Sequence, residues 1–186
     1  MRNKALPIAL YAVAAAIGVL ALGYPFLLAS VSSSSLGEGS PLTNATPLLT
    51  TLLVSLCLAV LLVELQGQAA GAKTVAALGI MVAATATLRF IEVGIPGPGG
   101  FSPIFAPIIL GGYVFGARFG FLLGAMTMLV SGIITAGVGP WLPYQMFTAG
   151  WIGLTAGLLP HLSRGKIEIL LLIGFAFFWG FAYGAI

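Results

Sequence analysis

Arg89 and Glu92 stand three residues apart near the end of a long apolar run, a spacing that puts both side chains on one face of a helix. Arg89 lies about 15 residues beyond the start of that run near Lys73, roughly 22 Å along a helix axis at about 1.5 Å per residue. An arginine at such a depth in a bilayer costs a few kcal/mol unless it snorkels or finds a partner. Two readings follow, and both stay open at this level. The pair is a structural ion pair, with Arg89 reaching toward the interface, or Arg89 lines an outward-open pocket and meets a polar or anionic ligand group.

Two Gly/Pro-rich stretches bear on the second reading. Residues 94–103 carry Pro96, Pro98, Pro103 and four more glycines, with Phe101 and Ser102 near the end. Residues 137–145 add Trp141, Tyr144 and Gln145 to a similar background. Proline lacks the N–H and glycine lacks the restraint that a regular helix needs, so both stretches are expected to be irregular. Irregular backbone near membrane depth is tolerated where it is buried in protein or lines a cavity. Trp141 and Tyr144 alone read equally as interfacial anchors. With Gln145 beside them and Arg89 on a nearby span, they also fit the aromatic walls and few convergent polar groups of a small-molecule site.

Other chemistries find little material. The chain has one His, one Cys and no Asp, so no cluster of His, Cys, Asp or Glu with metal-ligand spacing exists, and neither a metal nor another cofactor is expected. His161 stands beside Pro160 and reads as a solvated loop histidine. A Ser131–His161 dyad is not expected, because the two fall at different membrane depths. Cys57 has no partner for a disulfide within the chain. No Walker lysine loop is present, so ATP hydrolysis is not expected of this chain. The seven basic residues are dispersed, which disfavours a nucleic-acid partner.

The elements that must position these residues are hydrophobic spans. Of 186 residues, 60% are hydrophobic and 6% charged, against roughly a quarter charged in soluble domains. Most side-chain surface must therefore face lipid or neighbouring helices. About seven apolar runs can be drawn, at 6–29, 47–65, 74–93, 103–115, 119–136, 144–159 and 167–186, against the ~20 residues that cross ~30 Å of hydrocarbon. The fourth and sixth are short and bounded by proline. The fold class expected is an all-α integral membrane bundle. The first run follows Arg2 and Lys4; it is read as an uncleaved span, being longer than a signal core, although Ser30-Val31-Ser32 would pass as a cleavage site.

The loops orient the bundle. Arg2, Lys4, Lys73, Arg118, Arg164 and Lys166 fall on the N-terminal side of alternating spans, which is six of the seven basic residues. The positive-inside rule makes that side cytoplasmic. Small residues recur at every fourth position, as Gly112, Gly116, Gly120 and Gly124, then Ala149, Gly153 and Gly157, then Ala176, Gly180 and Gly184. Such rows let helix backbones approach closely where lipid offers no hydrophobic drive for association.

From Thr74 onward the chain resembles the substrate-binding S component of an energy-coupling factor (ECF) transporter. The residues that carry the resemblance are Leu88-Arg89, Gly100-Phe101-Ser102-Pro103-Ile104-Phe105 and Gly111-Gly112-Tyr113-Val114-Phe115-Gly116. They continue in Phe119-Gly120-Phe121-Leu122-Leu123-Gly124, Gly139-Pro140-Trp141-Leu142-Pro143-Tyr144-Gln145-Met146 and Gly150-Trp151-Ile152-Gly153-Leu154-Thr155-Ala156-Gly157. Residues 74–186 are similar to the family core, and residues 1–73 to the two-span extension of a vitamin-uptake subset that includes predicted cobalamin S components. The family core has six helices and five follow Lys73, so the resemblance implies a final span beyond Ile186.

The resemblance also implies a division of labour. The S component binds a vitamin at its extracellular face, and a transmembrane coupling subunit with two cytoplasmic ATPase subunits drives delivery. Its binding loops correspond here to Arg89, Glu92, Phe101, Trp141, Tyr144 and Gln145. Its small-residue contact with the coupling subunit corresponds to Ala72, Ala76, Gly79, Ala83 and Thr87. The setting implied is a prokaryotic plasma membrane, with the N-terminus cytoplasmic. The alternative carried beside it is a non-catalytic structural or assembly subunit held by its glycine faces. A membrane enzyme is disfavoured for want of catalytic residues.

Overall fold

The computed structural model describes residues 72–95, 102–135, 137–138, 141–161 and 165–185, with the isolated positions 16 and 55. The first two expected spans and Phe101 lie outside these residues, Ala16 and Ser55 apart. The chain divides into two compact units, Met1–Ala70 with Gly139–Tyr144, and Gly71–Val138 with Gln145–Ile186.

Five helices are described: α1 Ala72–Gly94, α2 Phe105–Phe115, α3 Ala117–Ile134, α4 Leu142–Ala156 and α5 Gly165–Ala185. No strand occurs among the described residues, and the chain is all-helical there. Lys73–Glu92, Ala117–Ile134 and Gly165–Tyr183 are long and apolar enough to cross a membrane. At 11 and 15 residues, α2 and α4 reach only about 16 and 22 Å, as their proline boundaries led one to expect.

Proline and glycine set the boundaries by position. Pro107 lies in the first turn of α2 and Pro143 in that of α4, where the missing N–H has no helical partner to lose. Tyr144 and Gln145, where the expected irregular stretch 137–145 overlaps the apolar run 144–159, stand in the first turn of α4. Gly94 likewise extends α1. Gly116 separates α2 from α3 with φ 95° and ψ 167°, a left-handed conformation that a side chain would resist. The row Gly112–Gly124 spans the expected turn between two helices; the chain reverses at Gly116, and Gly112 and Gly120 face each other.

Within the second unit the helices alternate in direction. Gly120 meets Gly153, Gly124 meets Ala149 and Gly157 meets Ala117, so α3 and α4 run antiparallel. Phe105 packs on Tyr183 and Tyr113 bonds Glu168, which makes α2 and α5 antiparallel. Helix α3 is the centre: Phe119, Leu122, Leu123, Ala125, Met128 and Ser131 are all buried. A Cβ on Gly112 or Gly120 would collide with the Gly153 carbonyl oxygen, and one on Gly124 with the Ala149 carbonyl oxygen. Backbone-to-backbone packing of this kind supplies dispersion contacts and weak Cα–H···O bonds where lipid gives no solvophobic help. Helix α5 is different. Phe177, Phe178 and Phe181 are exposed, and no residue of the Gly165–Tyr183 span is fully buried.

Candidate functional site

Alternation of direction sorts the described side-chain charges. Lys73, Arg118, Lys166 and Glu168 stand at helix starts on one end of the second unit. Arg89 and Glu92 stand on the other.

At the Arg89 end, the guanidinium Nη1 lies 3.2 Å from Glu92 Oε1, with the two side chains 22% and 18% exposed. The spacing of three residues on α1 makes this contact local, as expected. The second carboxylate oxygen is also used, since Ser102 Oγ donates to Glu92 Oε2 at 2.6 Å. That bond closes the ten-residue excursion between α1 and α2. Two aromatic rings complete the cluster: Phe105 and Tyr183 meet edge to face at 4.8 Å between centroids. Tyr183 lies near both Arg89 and Glu92. Three helices and one loop thus converge here.

Of the expected site residues, Arg89 and Glu92 are brought together. Gln145 is half-buried in the first turn of α4. Trp141, exposed in the turn before α4, and Tyr144, half-buried, belong to the first unit. Ser102, Phe105 and Tyr183 were not singled out as site residues. Tyr183 had a signal: it lies 18 residues from the start of α5 at Gly165, about 27 Å up, close to the height of Arg89 on α1.

The opposite end holds a second polar cluster. The Tyr113 hydroxyl donates to Glu168 Oε1 and also lies 3.4 Å from the Pro160 carbonyl oxygen. His161 Nε2 lies 3.0 Å from the Tyr113 carbonyl oxygen. A carbonyl only accepts, so Nε2 carries the hydrogen. The two rings stack at 4.3 Å with 17° between planes. His161 is exposed in its loop, as expected, and also meets Tyr113 near the end of α2. The tie from α2 to the start of α5 is the Tyr113–Glu168 bond.

One side of α1 is left open. Ala76, Gly79, Ala83 and Thr87 are exposed, and the space beside Gly79 is empty to 4 Å. The other side buries Leu78, Val82, Thr85 and Ala86. Thr87 Oγ1 donates to the Ala83 carbonyl at 2.9 Å, so its hydroxyl is satisfied within the helix and can face an apolar neighbour without desolvation cost. Ala72 opens the same helix. Among the described residues no group of three His, Cys, Asp or Glu side chains could hold a metal ion.

Residues 73–186, more than half of the chain, match the family described as ECF transporter, substrate-specific component. Neither a curated protein nor a solved structure gives a match.

Proposed function

Since the chain belongs to the substrate-specific components of ECF transporters, membrane subunits that bind a transport substrate, we propose that it captures a vitamin-like small molecule at the Arg89 end of the second unit. The observation that carries this reading is the convergence of Arg89, Glu92, Ser102, Phe105 and Tyr183 at one end of a membrane-embedded bundle. Ionisable side chains at membrane depth are costly and persist where they meet a substrate or a partner. Phe101, Trp141, Tyr144 and Gln145 remain proposed substrate-binding residues on the family resemblance alone. Cobalamin or a related corrinoid is the proposed ligand.

In this reading the Arg89 end is extracellular, because Lys73, Arg118 and Lys166 gather at the other end. The membrane is a prokaryotic plasma membrane and the N-terminus is cytoplasmic. Residues 1–73 form an extension to the core over 74–186. A transmembrane coupling subunit docks on the open face formed by Ala72, Ala76, Gly79, Ala83 and Thr87, where close approach is possible. Two cytoplasmic ATPase subunits supply the energy, and this chain performs no catalysis. The test is a binding screen of B vitamins and corrinoids against the purified full-length protein in detergent. One compound is expected to bind tightly; no binding by any of them would overturn the proposal.

A further inference from the structure

We infer that the cluster at the Arg89 end takes a net-uncharged ligand presenting an amide-type edge, a carbonyl beside an N–H, as in a primary carboxamide, lactam or imide; this rests on the ligand-binding reading above. Among the described residues the side-chain charges at this end cancel. Arg89 and Glu92 are in contact at 3.2 Å, and the other described side-chain charges stand at the far end of the unit. An arriving ligand meets a local dipole with no net charge.

That dipole discriminates. An anion drawn to Arg89 meets the Glu92 carboxylate within the same few ångströms, and a cation drawn to Glu92 meets the guanidinium. Either ligand binds beside the intact pair and is repelled by its like-charged member, or it breaks the pair and leaves one charge without its partner near membrane depth; both are unfavourable. A neutral edge needs no such exchange. Arginine carries five N–H donors and a carboxylate about four acceptor positions. The contacts with Glu92 and Ser102 use one donor of Arg89 and one position on each oxygen of Glu92. An amide carbonyl accepts from a remaining guanidinium N–H while its N–H donates to a remaining carboxylate lone pair, and the ion pair stays whole. Phe105 and Tyr183 place apolar ring surface near this polar edge.

The experiment uses the full-length protein in detergent and pairs of probes that differ in charge alone or nearly so. These are nicotinamide and nicotinate, biotinamide and biotin, riboflavin and riboflavin 5′-phosphate, and cyanocobalamin and its monocarboxylic acid. The uncharged member of the binding pair is expected to bind at least about tenfold tighter. Its affinity is expected to change less than about twofold between about 50 and about 500 mM salt. Glu92→Gln keeps the shape and an acceptor for Ser102 but frees Arg89, and is expected to shift the ratio toward the anionic member. Tighter binding of an anion to the unaltered protein, a steep salt dependence, or an unchanged ratio in a folded Glu92→Gln protein overturns the inference and leaves ligand binding standing. Failure of every probe to bind overturns both. Should Glu92→Gln not fold, the charge preference and salt dependence of the unaltered protein decide.

Discussion

Ser102 donates a 2.6 Å hydrogen bond to Glu92, and through it the first turn-forming residues before α2 are fastened to the last turn of α1. Glu92 is thereby held from two sides, by Arg89 on its own helix and by Ser102 across the connection. A carboxylate fixed in this way presents its remaining lone pairs in set directions, which is the preorganisation a binding site requires.

Ser102→Ala removes that second hold. A hydrogen bond to a charged group contributes about 1.5–3 kcal/mol, less here because the site is partly exposed. We expect a loss of about 1 kcal/mol in stability, seen as a lowered unfolding temperature, together with weaker ligand binding. Unchanged values for both would show that the Glu92 carboxylate is positioned by Arg89 alone.

Arg89→Ala takes away the donor and leaves Glu92 with Ser102 as its neighbour. Ligand affinity is expected to fall several-fold or more, about 1–3 kcal/mol, in the binding assay that first detects the ligand. Full affinity in the variant would return Arg89 to a purely structural role.

At the crossing of α3 and α4, Gly120→Ala places a methyl group against the Gly153 backbone. Overpacking against backbone costs roughly 1–3 kcal/mol or more, so the detergent-solubilised protein should lose monodispersity on mild heating. Gly79→Ala is the matched control. Its new methyl meets nothing within 4 Å, and replacing a helical glycine stabilises by up to about 1 kcal/mol.

A bulkier change at the same place separates folding from assembly. Gly79→Leu is expected to leave ligand binding intact and to abolish co-purification with the coupling subunit, because a close helix–helix approach no longer fits. Retention of the complex would move the coupling contact elsewhere.

Tyr113→Phe deletes the hydroxyl that joins α2 to Glu168. We expect about 1 kcal/mol lost and faster amide exchange in the first turn of α5, with binding at the distant Arg89 end little changed. Protected amides there would mean that His161 stacking alone holds the junction.

How much of this was legible in advance depends on how far apart the partners lie in sequence. The Arg89–Glu92 pair needs only a helix, so its spacing announced it. Ser102 and Tyr183 join the pair only once the chain has returned, and nothing local marks that return. Helices apolar on every side carry no polarity signal to distinguish a lipid-facing stripe from a buried one. The open face of α5 therefore looked no different from the buried faces of α3. Glycine spacing did identify the residues at close crossings, yet it could not separate Gly116, which makes the turn, from Gly112 and Gly120, which pack across it. His161 is exposed in its loop as expected, but its stacking on Tyr113, 48 residues away, had no local signal.

The glycine crossings also bear on how such a molecule can diversify. Where α2, α3 and α4 touch through bare backbone, nearly every exchange of residue is a collision, so that frame admits almost no variation. The mouth carrying Arg89, Ser102 and Tyr183 is built from ordinary side chains that can be swapped without disturbing the frame. If cargo binds there as proposed, new preferences can arise at that pole while the glycine crossings stay fixed.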